Sequence, residues 1–159
     1  MIRPATPEDV PVIVDFIREL ADYEKAVEKA IATVDQLHAA LFSSQPALYA
    51  HMACDDATGE PVGFAIWFLN FSTWRGVHGI YLEDLYVRPS ARGGGHGKAL
   101  LKLLAGIAVE RGYWGVQWSV LNWNKPSIDF YEALGAIAVD DWTAYRVIDG
   151  SLSNLARSA

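Results

Sequence analysis

The stretch Arg92-Gly93-Gly94-Gly95-His96-Gly97-Lys98 concentrates more chemical potential than any other part of this chain. Before it runs Ile80-Tyr81-Leu82-Glu83-Asp84-Leu85-Tyr86-Val87, whose aromatic and branched residues predict a strand. After it, the apolar run from Ala99 to Val109 is too long for one buried strand and predicts a buried helix. Glycines at a strand-to-helix turn leave backbone N–H groups uncovered, and the positive end of the helix adds to them, so the loop is a natural seat for phosphate. Arg92 contributes a permanent cation. Immediately upstream, Glu83 and Asp84 interrupt an apolar run in a context depleted of acids, which makes them candidates for proton or cation chemistry. Successive strand residues face opposite ways, so the two serve one site only if the strand bulges.

Spacing separates the phosphate loops that could be meant. A nucleotide P-loop needs Gly, four residues, then Gly-Lys-Ser/Thr. Here Gly97-Lys98 is followed by Ala99, and Arg92 stands where the first glycine belongs. A dinucleotide fingerprint starting at Gly93 and Gly95 would end on Lys98 instead of glycine. The pattern that survives is Arg-x-x-Gly-x-Gly, met by Arg92, Gly95 and Gly97. A second segment, Trp123-Asn124-Lys125-Pro126-Ser127-Ile128-Asp129-Phe130-Tyr131-Glu132-Ala133-Leu134-Gly135-Ala136, reads as a capped helix closed by a left-handed glycine.

Together these segments resemble the GNAT superfamily of N-acetyltransferases. Arg92 to Gly97 resembles its acyl-coenzyme A diphosphate loop, and Asn124 to Ala136 resembles its Asn-x-x-Ser-x-x-Phe-Tyr-x-x-x-Gly-Ala motif. Adding Tyr81-Leu82-Glu83-Asp84 narrows the resemblance to the diamine (spermidine/spermine) and thialysine acetyltransferase branch. The opening Ile2-Arg3-Pro4-Ala5-Thr6 and Glu19-Leu20-Ala21-Asp22-Tyr23-Glu24 are similar too, so the likeness covers nearly the whole chain.

The resemblance implies acetyl-CoA as co-substrate, direct transfer to a primary amine, and a homodimer. It assigns the diphosphate to Arg92, Gly93, Gly94, Gly95, His96, Gly97 and Lys98, and the thioester and pantetheine to backbone N–H groups around Leu85, Tyr86 and Val87. Asn124 and Ser127 would hold pantetheine amides, a role compatible with capping their helix. An alkylamine with a pKa near ~10.4 costs roughly 4–5 kcal/mol to deprotonate at pH 7, and a positioned carboxylate typically returns about 10²–10⁴ in rate. In the resembling branch the acid at the Glu83 position acts as that base, so Glu83 would take the proton directly or through water, and Tyr131 would be the acid for the departing sulfur. Tyr23, Glu24, Glu83 and Asp84 would receive the cationic amine, with Trp74 and Trp118 walling the pocket. Ser72 and Thr143 stand where the animal polyamine enzymes carry two further acids, which favours a short diamine or a lysine-like amine over a long polyamine. Two other readings stay open: an acetyltransferase of proteins or peptides, and a non-catalytic acyl-CoA-binding regulatory module.

The bulk properties set the frame. A chain of 159 residues suits one core, expected over residues 1–150 with a loosely ordered tail at 151–159. Apolar content of 52% excludes general disorder. The net charge of −6 argues against nucleic acid and is compatible with a cationic substrate. Met1-Ile2-Arg3-Pro4 lacks the apolar core of a signal peptide and no apolar run reaches membrane-spanning length, so a cytoplasmic protein is expected. The single cysteine, Cys54, reads as core filler, and the four histidines show no metal-ligand spacing.

The elements that must position these residues follow from periodicity and caps. Strands are expected at Ile2 to Ala5, Ala47 to Cys54, Val62 to Leu69, Val77 to Val87, Gly115 to Val120, Ala136 to Val139 and Trp142 to Ile148. Helices are expected from Thr6-Pro7 to about Tyr23, after Thr33, after the glycine loop, and near Ser127 to Leu134. This order predicts a single α/β domain: a mixed, mostly antiparallel sheet with a splayed central parallel pair, flanked by helices.

Overall fold

The computed structural model describes residues 1–158, and the chain divides into two compact units, Met1–Ser119 and Val120–Ala159. The first unit holds a five-stranded sheet in sequential order: β1 (Ile2–Pro4), β2 (Tyr49–Cys54), β3 (Pro61–Ser72), β4 (Val77–Val87) and β5 (Val116–Gln117). The first four pair antiparallel and β4 pairs parallel with β5, which bears out the mixed α/β architecture. Parallel pairing is confined to Ile80 with Val116 and Tyr81 with Gln117, while β4 runs on to Val87. This early parting is the expected splay.

Helices α1 (Val10–Tyr23) and α2 (Val34–Phe42) cover one face. Val10, Ile13, Val14 and Phe16 of α1 meet Phe64 and Ile66 of β3, Met52 and Cys54 of β2, and Tyr86 of β4 in one buried cluster. Each fully buried apolar side chain of this size contributes roughly 1.5–3 kcal/mol relative to exposure. Cys54 is fully buried among them. The entry into α1 is fixed by Asp9, whose carboxylate accepts from the Thr6 backbone N–H at 2.7 Å and from both Arg3 terminal nitrogens at 2.6 and 2.9 Å. Thr33 and Gln36 form the expected capping box of α2. Helix α3 (His96–Glu110) buries Leu100, Leu101, Leu104 and Ala108 and runs along the sheet.

The C-terminal unit contains α4 (Lys125–Ala133) and α5 (Asp149–Arg157). Two expectations fail here. The strands expected at Ala136 to Val139 and Trp142 to Ile148 are not formed, because strand propensity describes fit to a neighbouring pleated surface and this unit offers no strand to pair with among the described residues. The segment expected to be a loose tail is instead helical from Asp149 to Arg157, with an acid in its first turn and a base in its last that complement the helix dipole. Ala159, part of that expected tail, lies outside the described residues.

Candidate active site

The register of β3 against β4 resolves the question the paired acids raised. Ile66 faces Asp84 and Trp67 faces Leu82, so Glu83 is an extra residue on β4, a β-bulge. The bulge switches the faces. Asp84 and Tyr86 share a face with their partners Ile66 and Phe64, toward α1, whereas Leu82 shares the opposite face with Trp67. Without the extra residue, Leu82 and Asp84 would lie on one face. Both acids fall in the stretch of β4 that has parted from β5.

An acidic cluster forms at this point. Asp84 is half-buried, and burial first, then the nearby charges of Glu83 and Glu24, push its carboxyl up to about 7. Glu24, directly beyond α1, is raised by burial alone. Glu83 itself is exposed. The resulting site has negative potential, partly relieved by a proton near neutrality, and suits a cation that lends positive charge.

Behind the cluster lies an arginine and tyrosine box. Tyr86 is buried, and burial with Glu19 of α1 nearby raises its hydroxyl above the usual tyrosine value. Arg88 grips the same Glu19 through Nε at 3.1 Å and a terminal nitrogen at 2.8 Å, with its guanidinium 4.7 Å above the Phe16 ring. Arg92 donates from Nε to the Val87 carbonyl at 2.9 Å and lies 5.4 Å from the Tyr23 ring centroid and 5.8 Å from that of Tyr86.

The glycine loop follows at once. Gly93 and Gly95 take φ of +85° and +78°, conformations that residues with a Cβ rarely adopt, and a Cβ at either would meet nothing within 4 Å. Gly95 is the N-cap of α3 and offers no side-chain cap, so the first-turn N–H groups of His96, Gly97 and Lys98 lack the usual capping acceptor. The His96 ring folds back beside Gly94. Donors of this kind, open and unshielded at the start of a long helix, fit a diphosphate.

The other residues singled out by the sequence lie on other segments of the chain. Trp74, at the tip of the β3–β4 hairpin, is 93% exposed. Trp118 is half-buried just after β5, next to Ser119, whose hydroxyl meets the Tyr81 hydroxyl at 3.1 Å. In the C-terminal unit, buried Asn124 caps α4 by accepting from the Ser127 backbone N–H at 3.4 Å, and Tyr131 sits on the same helix with its ring 5.5 Å from that of Phe130. Among the described residues, no group of His, Cys, Asp or Glu is arranged to hold a metal.

Sequence reasoning missed the Glu19–Arg88 clamp and the tyrosine partners of Arg92. Only their placement signalled them: Arg88 precedes the loop, and Glu19 and Tyr23 lie about one turn apart at the end of α1, with Glu24 directly beyond.

A bulged, acid-bearing strand that parts from its parallel neighbour and feeds a glycine-rich helix start is the architecture of an acyl-coenzyme A transferase. The chain matches the acetyltransferase (GNAT) family over residues 14–136 and belongs to that family. It is similar to the thialysine N-epsilon-acetyltransferase of Bos taurus, 36% identical over 98% of this chain and 96% of the relative. The L-ornithine N5-acetyltransferase of Arabidopsis thaliana is 29% identical over 95% of this chain and 85% of the relative. Among solved structures, an integron cassette protein from the V. cholerae mobile metagenome superposes with a TM-score of 0.81 at 28% identity, covering 99% and 98% of the two chains. The resemblance to the thialysine and polyamine branch is borne out by these relatives, and the protein is an acetyl-CoA-dependent N-acetyltransferase.

Proposed function

We propose that the protein transfers acetyl directly from acetyl-CoA to a primary amine of a small diamine, a polyamine or a thialysine-like amino acid. The observation that carries this reading is the cluster of Glu24, Glu83 and Asp84 at the root of the glycine loop, in a site that a cationic amine would neutralise. The names of the similar thialysine and ornithine enzymes support the same substrate class.

Acetyl-CoA, seated by the amides of Gly93 to Lys98, supplies the activated thioester. The chain's own residues do the rest. Backbone N–H groups of Leu85 to Val87, on the stretch of β4 beyond its pairing with β5, orient the pantetheine and carbonyl. Glu83, the exposed residue of the bulge, receives the amine's proton directly or through water. Asp84 and Glu24 hold the ammonium before it is deprotonated, and Tyr23, Trp74 and Trp118 line its approach. Tyr131, on α4, keeps the proton-donor role its motif implies, with Asn124 and Ser127 contacting pantetheine amides. A homodimer in the cytoplasm completes the proposal. The homodimer is supported by the C-terminal unit, in which no apolar side chain among the described residues is buried.

The test is thiol release from acetyl-CoA against a panel of thialysine, L-ornithine, 1,3-diaminopropane, spermidine and a lysine peptide. Turnover of a free amine well above that of the peptide supports the proposal. Preference for the peptide, or coenzyme A binding without amine-stimulated release, overturns it.

A further inference from the structure

The side chain of Arg92 points away from the task its position suggests. A guanidinium at the mouth of a phosphate loop would be expected to reach forward to the anion. Here Nε turns back to the Val87 carbonyl at 2.9 Å, and the guanidinium carbon lies over two tyrosine rings, at 5.4 Å from Tyr23 and 5.8 Å from Tyr86. A guanidinium so placed is drawn to the faces of both rings.

The two rings differ in what holds them. Tyr86 is buried on β4, its ring 6.0 Å from that of Phe16 on α1. Tyr23 is the last residue of α1, where the chain turns sharply: Lys25 adopts φ of +59°, its N–H donates to Asp22 at 3.0 Å, and the Ala26 N–H donates to Ala21 at 2.8 Å. Glu24 sits in that turn, and its charge bears on Asp84. Arg92 therefore joins the root of the cofactor loop to the end of α1 that carries one acid of the amine site.

We infer that Arg92 is a positioning residue whose contacts with Tyr23 and Tyr86 make coenzyme A binding and amine binding favour one another. This rests on the function proposed above. With a diphosphate seated on the loop, the Arg92 guanidinium and Tyr23 hold the α1 end, and with it Glu24, in the arrangement that receives an ammonium. Linkage makes the effect reciprocal.

Calorimetry of coenzyme A with the wild-type protein comes first; no binding there overturns the proposed function itself, before any variant is made. The variants are Arg92→Met, which keeps the apolar stem and loses the charge and donor, Arg92→Lys, Tyr23→Leu, and the Arg92→Met/Tyr23→Leu pair. Each is assayed at saturating acetyl-CoA with the amine turned over fastest in the panel. Arg92→Met should raise the amine KM on the order of fivefold to tenfold, with kcat within about twofold, in the range of ordinary site-to-site coupling. Its coenzyme A Kd should change less than the amine KM. Arg92→Lys should fall between, because an ammonium lacks the planar face and the Nε donor. The double variant should be no worse than the poorer single one, as expected of residues acting through one contact. A coenzyme A Kd that weakens more than the amine KM would show direct diphosphate binding and overturn the inference, as would additive effects of the two substitutions.

Discussion

At the scale of the residue, the two adjacent acids of β4 have been given different environments by one inserted position. Asp84 is folded toward α1, where burial and two neighbouring carboxylates oppose its charge; Glu83 is left exposed at the bulge. The consequence for stability has a definite sign. An aspartate whose pKa is raised from 3.8 to about 7 binds more proton in the folded state than in the unfolded state, so stability falls as pH rises between those values and is level above them. Asp84→Asn removes that penalty. The variant should melt like wild type near pH 4 and above it at pH 8, by about 8 to 16 °C for a relief of about 4 kcal/mol. Thermal unfolding followed at both pH values checks this, and equal melting temperatures at pH 8 would count against a destabilising charge at Asp84. Glu83→Gln bears on rate instead. If Glu83 takes the proton, turnover should drop about 10²-fold or more at pH 7 and recover in part near pH 10, where the amine is already free base. A pH–rate profile parallel to wild type would remove Glu83 from that role.

At the scale of the element, the splay of β4 from β5 depends on how closely the two strands approach where they do pair. Gly79 lies one residue before the paired Ile80, and a Cβ there would collide with the Trp114 indole and stand 2.7 Å from Asn70 Oδ1. Trp114 also anchors this end through its backbone N–H, which donates to the His78 carbonyl at 2.9 Å. Gly79→Ala should therefore cost about 1–3 kcal/mol of stability through overpacking, measured by urea denaturation. It should lower activity too, because the start of the splay would shift; an alanine variant with wild-type stability and rate would show the approach to be soft. The same region shows what a sequence can and cannot tell. Val77 to Val87, the Thr33 cap, the glycine turn and its helix are local events, each written in propensity, cap chemistry or φ, and they were legible. The bulge was legible only as a condition, since nothing in Glu83 or Asp84 says how many residues of β3 will oppose them. The Glu19–Arg88 clamp spans 69 positions, and no local pattern encodes a partner that distant. The expected strands at 136–148 failed for a related reason. Their alternation is real, but a ladder is a property of two strands.

At the scale of the whole molecule, the unevenness between the units is the feature that calls for explanation. The N-terminal unit buries its apolar residues on both faces of the sheet, whereas in the C-terminal unit Ile137, Trp142, Tyr145 and Val147 are exposed, Tyr145 at 92% and Ile137 at 87%. A unit this short, with its apolar side chains in water, gains little from folding alone. Large apolar side chains left exposed in this number suit a surface that associates. The proposed homodimer answers that demand most simply, since a second copy supplies the same surface and closed twofold association is the commonest solution among soluble oligomers. Sedimentation equilibrium of the full chain should give twice the monomer mass at micromolar concentration. The Trp142→Ser/Tyr145→Ser pair should raise the dimer dissociation constant by about a hundredfold, because interfacial aromatics commonly contribute 1–2 kcal/mol or more apiece. Monomeric mass in the wild type would remove the dimer from the proposal. An unchanged dissociation constant in the variant would move the interface elsewhere on the chain and leave the exposed aromatics of the C-terminal unit without a role in assembly.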